Sequence, residues 1–362
     1  MPVILQKLLS MPKKIILCTN LDEVKKKNAI VFKLLSKRYI IKCFCYAKSR
    51  QCSSLKKYFT EKIYPKNKIK RIVFFFQYLH KIRHRLSHIE IYTGEGAFLL
   101  AEFLIAKILK IKIITVERGS FDEVLTYYKN FRKLITIVIY FLIYYFSDLV
   151  WIRELWVKKY LRFIPHKKIL FLANAALVPS PKKKISFKRK YKFIWYNSFK
   201  PMRYPCWVAE ALKDITPKVR YLFVGKIPKN KITNPVEKKV KSILPNLKIL
   251  PFNTNNKILY SADFFVLAAK IVFLNNSLLE AMARGCIPIV NSAPGVHKII
   301  QDGKDGLIAK SSKIGFRSAM IRAANMNQDQ INTLRNNCIN KVQTEYSLIS
   351  LVEKLHIAYN RL

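Results

Sequence analysis

The chain has 362 residues, with 67 Lys and Arg against 21 Asp and Glu, a formal net charge of +46, and 51% hydrophobic residues. That hydrophobic fraction excludes a disordered chain, and the length suits two domains of ordinary size. The charge narrows the specific partners to polyanions: nucleic acid, an anionic membrane surface or a phosphorylated small molecule. A lysine-rich solvated surface is an equally good reading.

In chain order, Lys14 to Thr19 (KIILCT) reads as a buried strand, followed by a loose helical face over Val24 to Arg38 and a second strand at Ile40 to Tyr46. Arg71 to Phe76 (RIVFFF), His88 to Tyr92, Lys112 to Val116 and Asp148 to Ile152 are further strand-like runs, with a clear helix over Gly96 to Leu109. Leu134 to Phe146 (LITIVIYFLIYYF) is apolar but shorter than the roughly 20 residues a spanning helix needs, so a buried or membrane-skimming helix is expected. Pro179 to Lys192 (PSPKKKISFKRKYK) is basic, marked by proline, and reads as an interdomain linker. Strand candidates then resume at Phe193 to Tyr196, Val219 to Val224, Leu247 to Leu250, Asp263 to Leu267, Ile287 to Asn291 and Leu307 to Ala309, and Ser311 to Leu362 is helical. Strands alternating with helices in both halves indicate two doubly wound parallel α/β domains. Their boundaries are expected at 1–178 and 193–340, joined by the linker 179–192, with 341–362 a terminal helix crossing back to the first domain. In such folds ligands bind at the carboxyl ends of the strands, here expected to face each other across a cleft.

Seven cysteines occur without a C-x-x-C pair, and most lie inside apolar runs, as reduced core residues do. The opening MPVILQKLLSMPKK has no small-residue cleavage site, and a cytoplasmic protein is expected. No histidine pairing suggests a metal, no D-x-D motif is present, and Asp302 and Asp305 read as turn residues. No metal or cofactor is therefore expected. The absence of G-x-S-x-G and P-loop motifs argues against hydrolase and NTPase chemistry.

The most informative stretch is Asn275 to Lys310 (NNSLLEAMARGCIPIVNSAPGVHKIIQDGKDGLIAK). Ser277-Leu-Leu-Glu280 fits a capping box that starts a helix, Gly285 suits its C′ position, and Ala293-Pro294-Gly295 is a turn opening another helix. The first helix follows a strand, so its exposed amides suit a diphosphate. This stretch resembles the donor-binding region of the retaining glycosyltransferases of group 1, the glycogen-synthase-like enzymes of the GT-B fold with two Rossmann-like domains. The weaker resemblance elsewhere includes Tyr196 to Pro205, similar to the family's phosphate loop, and Gly225, similar to its strand-ending glycine.

The resemblance implies transfer of a sugar from a nucleotide-sugar donor, with Glu280 on the ribose hydroxyls and Arg203 and Lys200 on the diphosphate. Gly295 would allow close backbone approach, and Asn197, Ser198, Asn276, Ser277 and Leu278 would line the donor pocket. Glu280 as a mere capping partner and the cations as mere surface charges stay open as alternatives. In the first domain Glu117 and Arg118 are candidates for acceptor binding or proton handling, a structural ion pair being the alternative; Glu95 is a third acceptor-side candidate. Two positions depart from the family pattern: Val272 stands where a first glutamate is usual and Ser198 where an arginine is common. A lipid-linked or glycan acceptor, an anionic membrane surface, and a place in surface-polysaccharide or lipopolysaccharide synthesis are the expected context. The rivals are a non-catalytic sugar-nucleotide binder and a basic nucleic-acid-binding protein; no nucleic-acid module is recognisable, so no nucleic-acid partner is expected.

Overall fold

The computed structural model describes residues 13–22, 24–48, 53–93, 97–117, 131–153, 155–179, 191–199, 203–215, 219–226, 235–251, 257–270, 276–293 and 295–362. Two compact units emerge, one from Met1–Leu172 with Val352–Leu362 and the other from Ala173–Leu351.

The first unit contains β1 (Ile15–Leu21), α1 (Lys26–Leu35), β2 (Ile40–Cys45), β3 (Thr60–Ile63), α2 (Lys68–Ile82), β4 (Leu86–Tyr92), α3 (Ala97–Ile108), β5 (Ile113–Val116), α4 (Phe131–Phe146), β6 (Leu149–Ile152) and β7 (Ile169–Phe171). All its strands pair in parallel, in the order β3-β2-β1-β4-β5-β6-β7. Order reverses between β1 and β4, which makes their carboxyl ends a topological switch point. One face of the sheet packs against α2, α3 and α4 through Phe75, Leu79, Leu99, Phe103, Ile143 and Tyr144.

Arg71 to Phe76 is helix, not strand. Asn67 caps α2 by accepting from the amides of Ile69 and Lys70, and Phe75, Leu79 and Ile82 form its buried stripe at helical spacing. The aromatic run imitates a strand because the outward positions of this helix are apolar as well. The neighbouring strand is instead the short, half-exposed β3 (TEKI), which carries no apolar pattern to detect.

The second unit contains β8 (Lys192–Ser198), α5 (Pro205–Ile215), β9 (Arg220–Lys226), α6 (Pro235–Ile243), β10 (Ile249–Pro251), β11 (Phe264–Leu267), α7 (Asn276–Met282), β12 (Ile287–Asn291), α8 (Val296–Ile299), β13 (Leu307–Ala309), α9 (Lys313–Ala324) and α10 (Gln328–Glu345). The last helix, α11 (Leu348–Tyr359), enters from this unit and ends in the first. The second sheet is again parallel throughout, ordered β10-β9-β8-β11-β12-β13, and its switch point lies between β8 and β11. Ala176 belongs to this unit's core, its amide donating to the carbonyl of Tyr346 at 2.7 Å. Of the expected linker, residues 180–190 lie outside the described residues, Tyr191 precedes β8, and Lys192 is already the first residue of that strand. No described helix is long and apolar enough to cross a membrane.

Candidate active site

In the second unit β8 runs on to Ser198, two residues beyond the expected strand, so Asn197 and Ser198 are in the ladder opposite Gly225 and Lys226. Asn197 is buried at the carboxyl end of the central strand. The chain then turns: Phe199 is buried against Trp195, their rings 4.7 Å apart, and its edge lies over Gly225, where a Cβ would come within 2.3 Å of it. Glycine is therefore required at 225 by the close approach of this ring. Arg203 is half-buried in the same loop, just before Tyr204, which takes φ 38° to start α5. Lys200 lies outside the described residues.

From the next strand over, α7 begins at Asn276, one residue before Ser277, where a helix start was expected. Leu278 turns its side chain into the core, leaving only its backbone for any ligand. Glu280 is half-buried. Its charge and that of Arg284 both act on Tyr196 at the end of β8; burial first, then Glu280, push the Tyr196 phenol up to about 12. The Arg284 guanidinium donates to the Glu280 carbonyl at 2.8 Å and lies 5.6 Å from the ring of Tyr260. The helix closes as expected: Gly285 takes φ 72°, its amide bonds the carbonyl of Met282 at 2.9 Å, and that of Cys286 bonds Ala281 at 2.9 Å, a Schellman pair.

Gly295 follows β12, exposed with φ 91° as the N-cap of α8. Residues from β8, α7 and the turn after β12 are thus brought to the carboxyl edge of one sheet around its switch point. Asn291, which sequence reasoning passed over, organises this edge. Its side chain donates to the carbonyl of Ala269 at 2.9 Å and accepts from the Ala269 amide at 2.7 Å, clamping the segment after β11 to β12. A buried asparagine closing an otherwise apolar strand was the available signal. Asp302 and Asp305 are turn residues as expected, accepting from the amides of Ile308 and Gln301 at 2.7 and 2.8 Å.

In the first unit Glu117 ends β5, 1% exposed. Its carboxylate accepts from the hydroxyl of Tyr144 and from Thr93 Oγ1 at 3.3 Å. Expected to face a cleft for acceptor binding or proton handling, or to form a structural ion pair, the carboxylate is directed inward at hydroxyls and ties the strand end to α4. Arg118 and Glu95 lie outside the described residues. Two buried glutamates went unnoticed in the sequence. Glu90 on β4 accepts from Tyr92 at 2.9 Å, Cys18 at 3.4 Å and the hydroxyl of Tyr359 on α11, with His88 Nε2 4.0 Å away. Burial raises its carboxyl, but His88 and the tyrosine hydroxyls outweigh it and hold the group below its ordinary value. Glu102 on α3 accepts from Thr19 at 3.2 Å and from Tyr64, and burial holds its carboxyl well above the ordinary value. Where a glycine-rich turn would follow the first strand, Asn20 takes φ 58° and bridges to the Tyr92 carbonyl at 2.7 Å and the Tyr46 hydroxyl at 2.7 Å. Asparagine tolerates this conformation, which explains how the strand end forms without glycine. Among the described residues no group of three or more His, Cys, Asp or Glu could hold a metal ion.

Two doubly wound parallel sheets, each gathering polar side chains at its switch point, define a protein of the two-domain Rossmann-like GT-B class. Residues 192–325, which lie within the second unit, match the family model of the glycosyl transferases of group 1. No curated protein matches the sequence. Among solved structures, a glycosyltransferase from Rickettsia africae ESF-5 is similar at 14% identity and TM-score 0.73, over 97% of this chain and 99% of that one. Anabaena Alr3699/HepE in complex with UDP-glucose is similar at 11% identity and TM-score 0.74, over 96% and 100%. The lipopolysaccharide outer core galactosyltransferase WaaB in its apo form is similar at 13% identity and TM-score 0.71, over 96% and 100%. At these identities the likeness establishes the fold.

Proposed function

We propose that the chain transfers a sugar from a nucleotide-activated donor to a glycan or lipid-linked glycan, with retention of configuration, in surface-polysaccharide or lipopolysaccharide synthesis. The observation that carries this reading is the coincidence of the group 1 match with the sheet whose switch point lies between β8 and β11, and whose carboxyl-end segments carry Asn197, Arg203, Glu280 and Gly295. A uridine diphosphate sugar is the donor to test first, because HepE was solved with UDP-glucose.

In this reading the chemistry is leaving-group departure. As the glycosidic bond to the diphosphate breaks, negative charge grows on the diphosphate. Arg203 and Lys200 neutralise it, and fixed cations aimed at developing charge supply a large share of such catalysis. Glu280 accepts from the two ribose hydroxyls, which a single carboxylate can do. The amides opening α7, with Asn276 and Ser277, meet the sugar and phosphates, and Gly295 admits close backbone approach. These cations make a bound metal unnecessary to the step. Glu117, enclosed by Tyr144 and Thr93, acts by positioning the end of β5. The acceptor is presented at an anionic membrane surface, with the chain on its cytoplasmic side.

The test is a thermal-shift screen with UDP, GDP, ADP and CMP sugars, since a ligand that binds only the folded state raises its melting temperature. A donor-hydrolysis assay and the anomeric configuration of the product follow. A shift with one class of nucleotide sugar, together with turnover, supports the reading; no shift with any would sink it. A second reading, a non-catalytic sugar-nucleotide binder, is favoured by Val272 and Ser198 at positions where the family carries glutamate and arginine; it predicts a shift without turnover across all donors.

A further inference from the structure

Among the described residues, twenty large hydrophobic side chains are exposed, and eleven of them lie on three consecutive helices of the first unit. On α2 these are Ile69, Ile72, Val73 and Phe76, spaced i, i+3, i+4, i+7, on the flank about 100° round the helix from the buried stripe Phe75, Leu79 and Ile82. On α3 they are Leu104 and Ile108; on α4 they are Ile135, Val138, Leu142, Tyr145 and Phe146. The three helices cover the same face of the sheet and pack side by side. Their outward sides therefore form one plate, on the order of 20 Å across by helix length and spacing. Ile69 is 73% exposed and Ile108 72%, values that belong to side chains with nothing packed on them. A contiguous apolar area of this extent exceeds what solvated surfaces normally carry and marks an interaction face.

Charge selects the occupant. The only acidic residue on the three helices is Glu102, and it is fully buried beneath the plate. Exposed cations frame the apolar residues: Lys68, Lys70 and Lys81 on α2, Arg83 after it, and Lys110 after α3. A surface with apolar side chains outward, basic side chains around them and no exposed carboxylate on its helices complements an anionic lipid headgroup layer above hydrocarbon. A protein partner would ordinarily be matched by charges of both signs at the rim.

We propose that the outer face of α2, α3 and α4 docks on an anionic phospholipid bilayer, with the apolar side chains at the headgroup boundary and the cations on the phosphates. This deepens the membrane part of the reading above by naming the surface, and rests on that reading only for its purpose, which is access to a lipid-linked acceptor.

The experiment is vesicle co-sedimentation of the full chain, with phosphatidylcholine alone or mixed with phosphatidylglycerol, at low and high salt. A variant carrying Ile72→Gln, Phe76→Gln, Val138→Gln and Leu142→Gln keeps the net charge and changes only exposed positions. The native chain is expected to sediment with the anionic vesicles and to retain part of that binding at high salt. The variant is expected to lose partitioning at least about tenfold, with its melting temperature and its shift by uridine diphosphate unchanged. Should the fourfold change unfold the chain, Ile72→Gln with Phe76→Gln alone gives the same reading at smaller amplitude. Ile314→Gln with Ile321→Gln on α9 is the control and should sediment like the native chain. Equal sedimentation of native and variant would overturn the proposal, since charge alone then explains binding. So would a native chain that ignores every vesicle, or one that forms a dimer in solution which the variant cannot form. Vesicle binding without any nucleotide-induced shift would uphold the docking surface while sinking the donor reading.

Discussion

The two units share a topology and differ in how each treats its carboxylates and its apolar surface. The second unit buries Asp263 and Asp305 beside cations, Arg335 at 3.0 Å and Lys341 at 2.8 Å. The first buries Glu90, Glu102 and Glu117 mainly against hydroxyls of Tyr92, Tyr359, Tyr64, Thr19, Tyr144 and Thr93, with His88 also 4.0 Å from Glu90. Among the described residues, sixteen of the twenty exposed large hydrophobic side chains are in the first unit and four in the second. The difference suggests a division of labour under the proposed function: one sheet to hold the donor at its switch point, and one that turns apolar surface outward.

Substitutions in the second unit test that division first, and most strongly. Arg203→Ala is expected to lower kcat about 10²–10³-fold while leaving the fold intact, as loss of a group stabilising developing charge does; steady-state kinetics with the donor found by thermal shift measures it. Glu280→Gln should weaken donor binding about tenfold or more through loss of a charged acceptor, read as a raised KM and a smaller nucleotide-induced shift. Glu117→Gln, in the first unit, should leave nucleotide affinity unchanged; an equal loss there would erase the division. Gly225→Ala puts a methyl into the Phe199 ring and should cost about 1–3 kcal/mol in chemical unfolding of the second unit. Phe199→Leu in the same background should recover part of that loss.

The division also explains what was legible in the sequence. In the second unit Ile287–Asn291 and Leu307–Ala309 fall where expected, because buried parallel strands read as apolar runs bounded by turn glycines. Gly285 and Gly295 were visible because left-handed backbone demands such residues. In the first unit the same logic failed at α2: where the outward side of a helix is apolar too, periodicity vanishes and RIVFFF imitates a strand. Glu90 and Glu102 escaped notice because each sits among apolar residues in sequence, and their hydroxyl partners come from distant segments: Tyr359 lies 269 residues from Glu90, and Tyr64 lies 38 from Glu102. Asn291 was missed for a related reason, since its role arises only when adjacent strands bring loops together.

The smallest effects expected are those of pH on the first unit, where two buried glutamates pull in opposite directions. Glu90 is held below its ordinary value of 4.5, so its contribution is complete above that value and is lost as pH falls through the lower folded value. Glu102 is held above 4.5, so the folded state keeps a proton that the unfolded chain has released, and stability declines as pH rises between the two values. Glu102→Gln retains an acceptor for the hydroxyl of Tyr64 or Thr19 and has no proton to lose. Denaturant unfolding from acid to neutral pH should therefore show the decline above 4.5 flattened in that variant, with stability at neutral pH equal to or above that of the native chain. Glu90→Gln should do the reverse, weakening the acid-side loss while lowering stability at neutral pH, because the charged acceptor for Tyr92 and Tyr359 is gone. If both variants shifted the profile in the same direction, the hydroxyl-lined carboxylates would be a single coupled system and not two opposed ones. The contrast with the ion-paired aspartates of the second unit would then need a different physical basis.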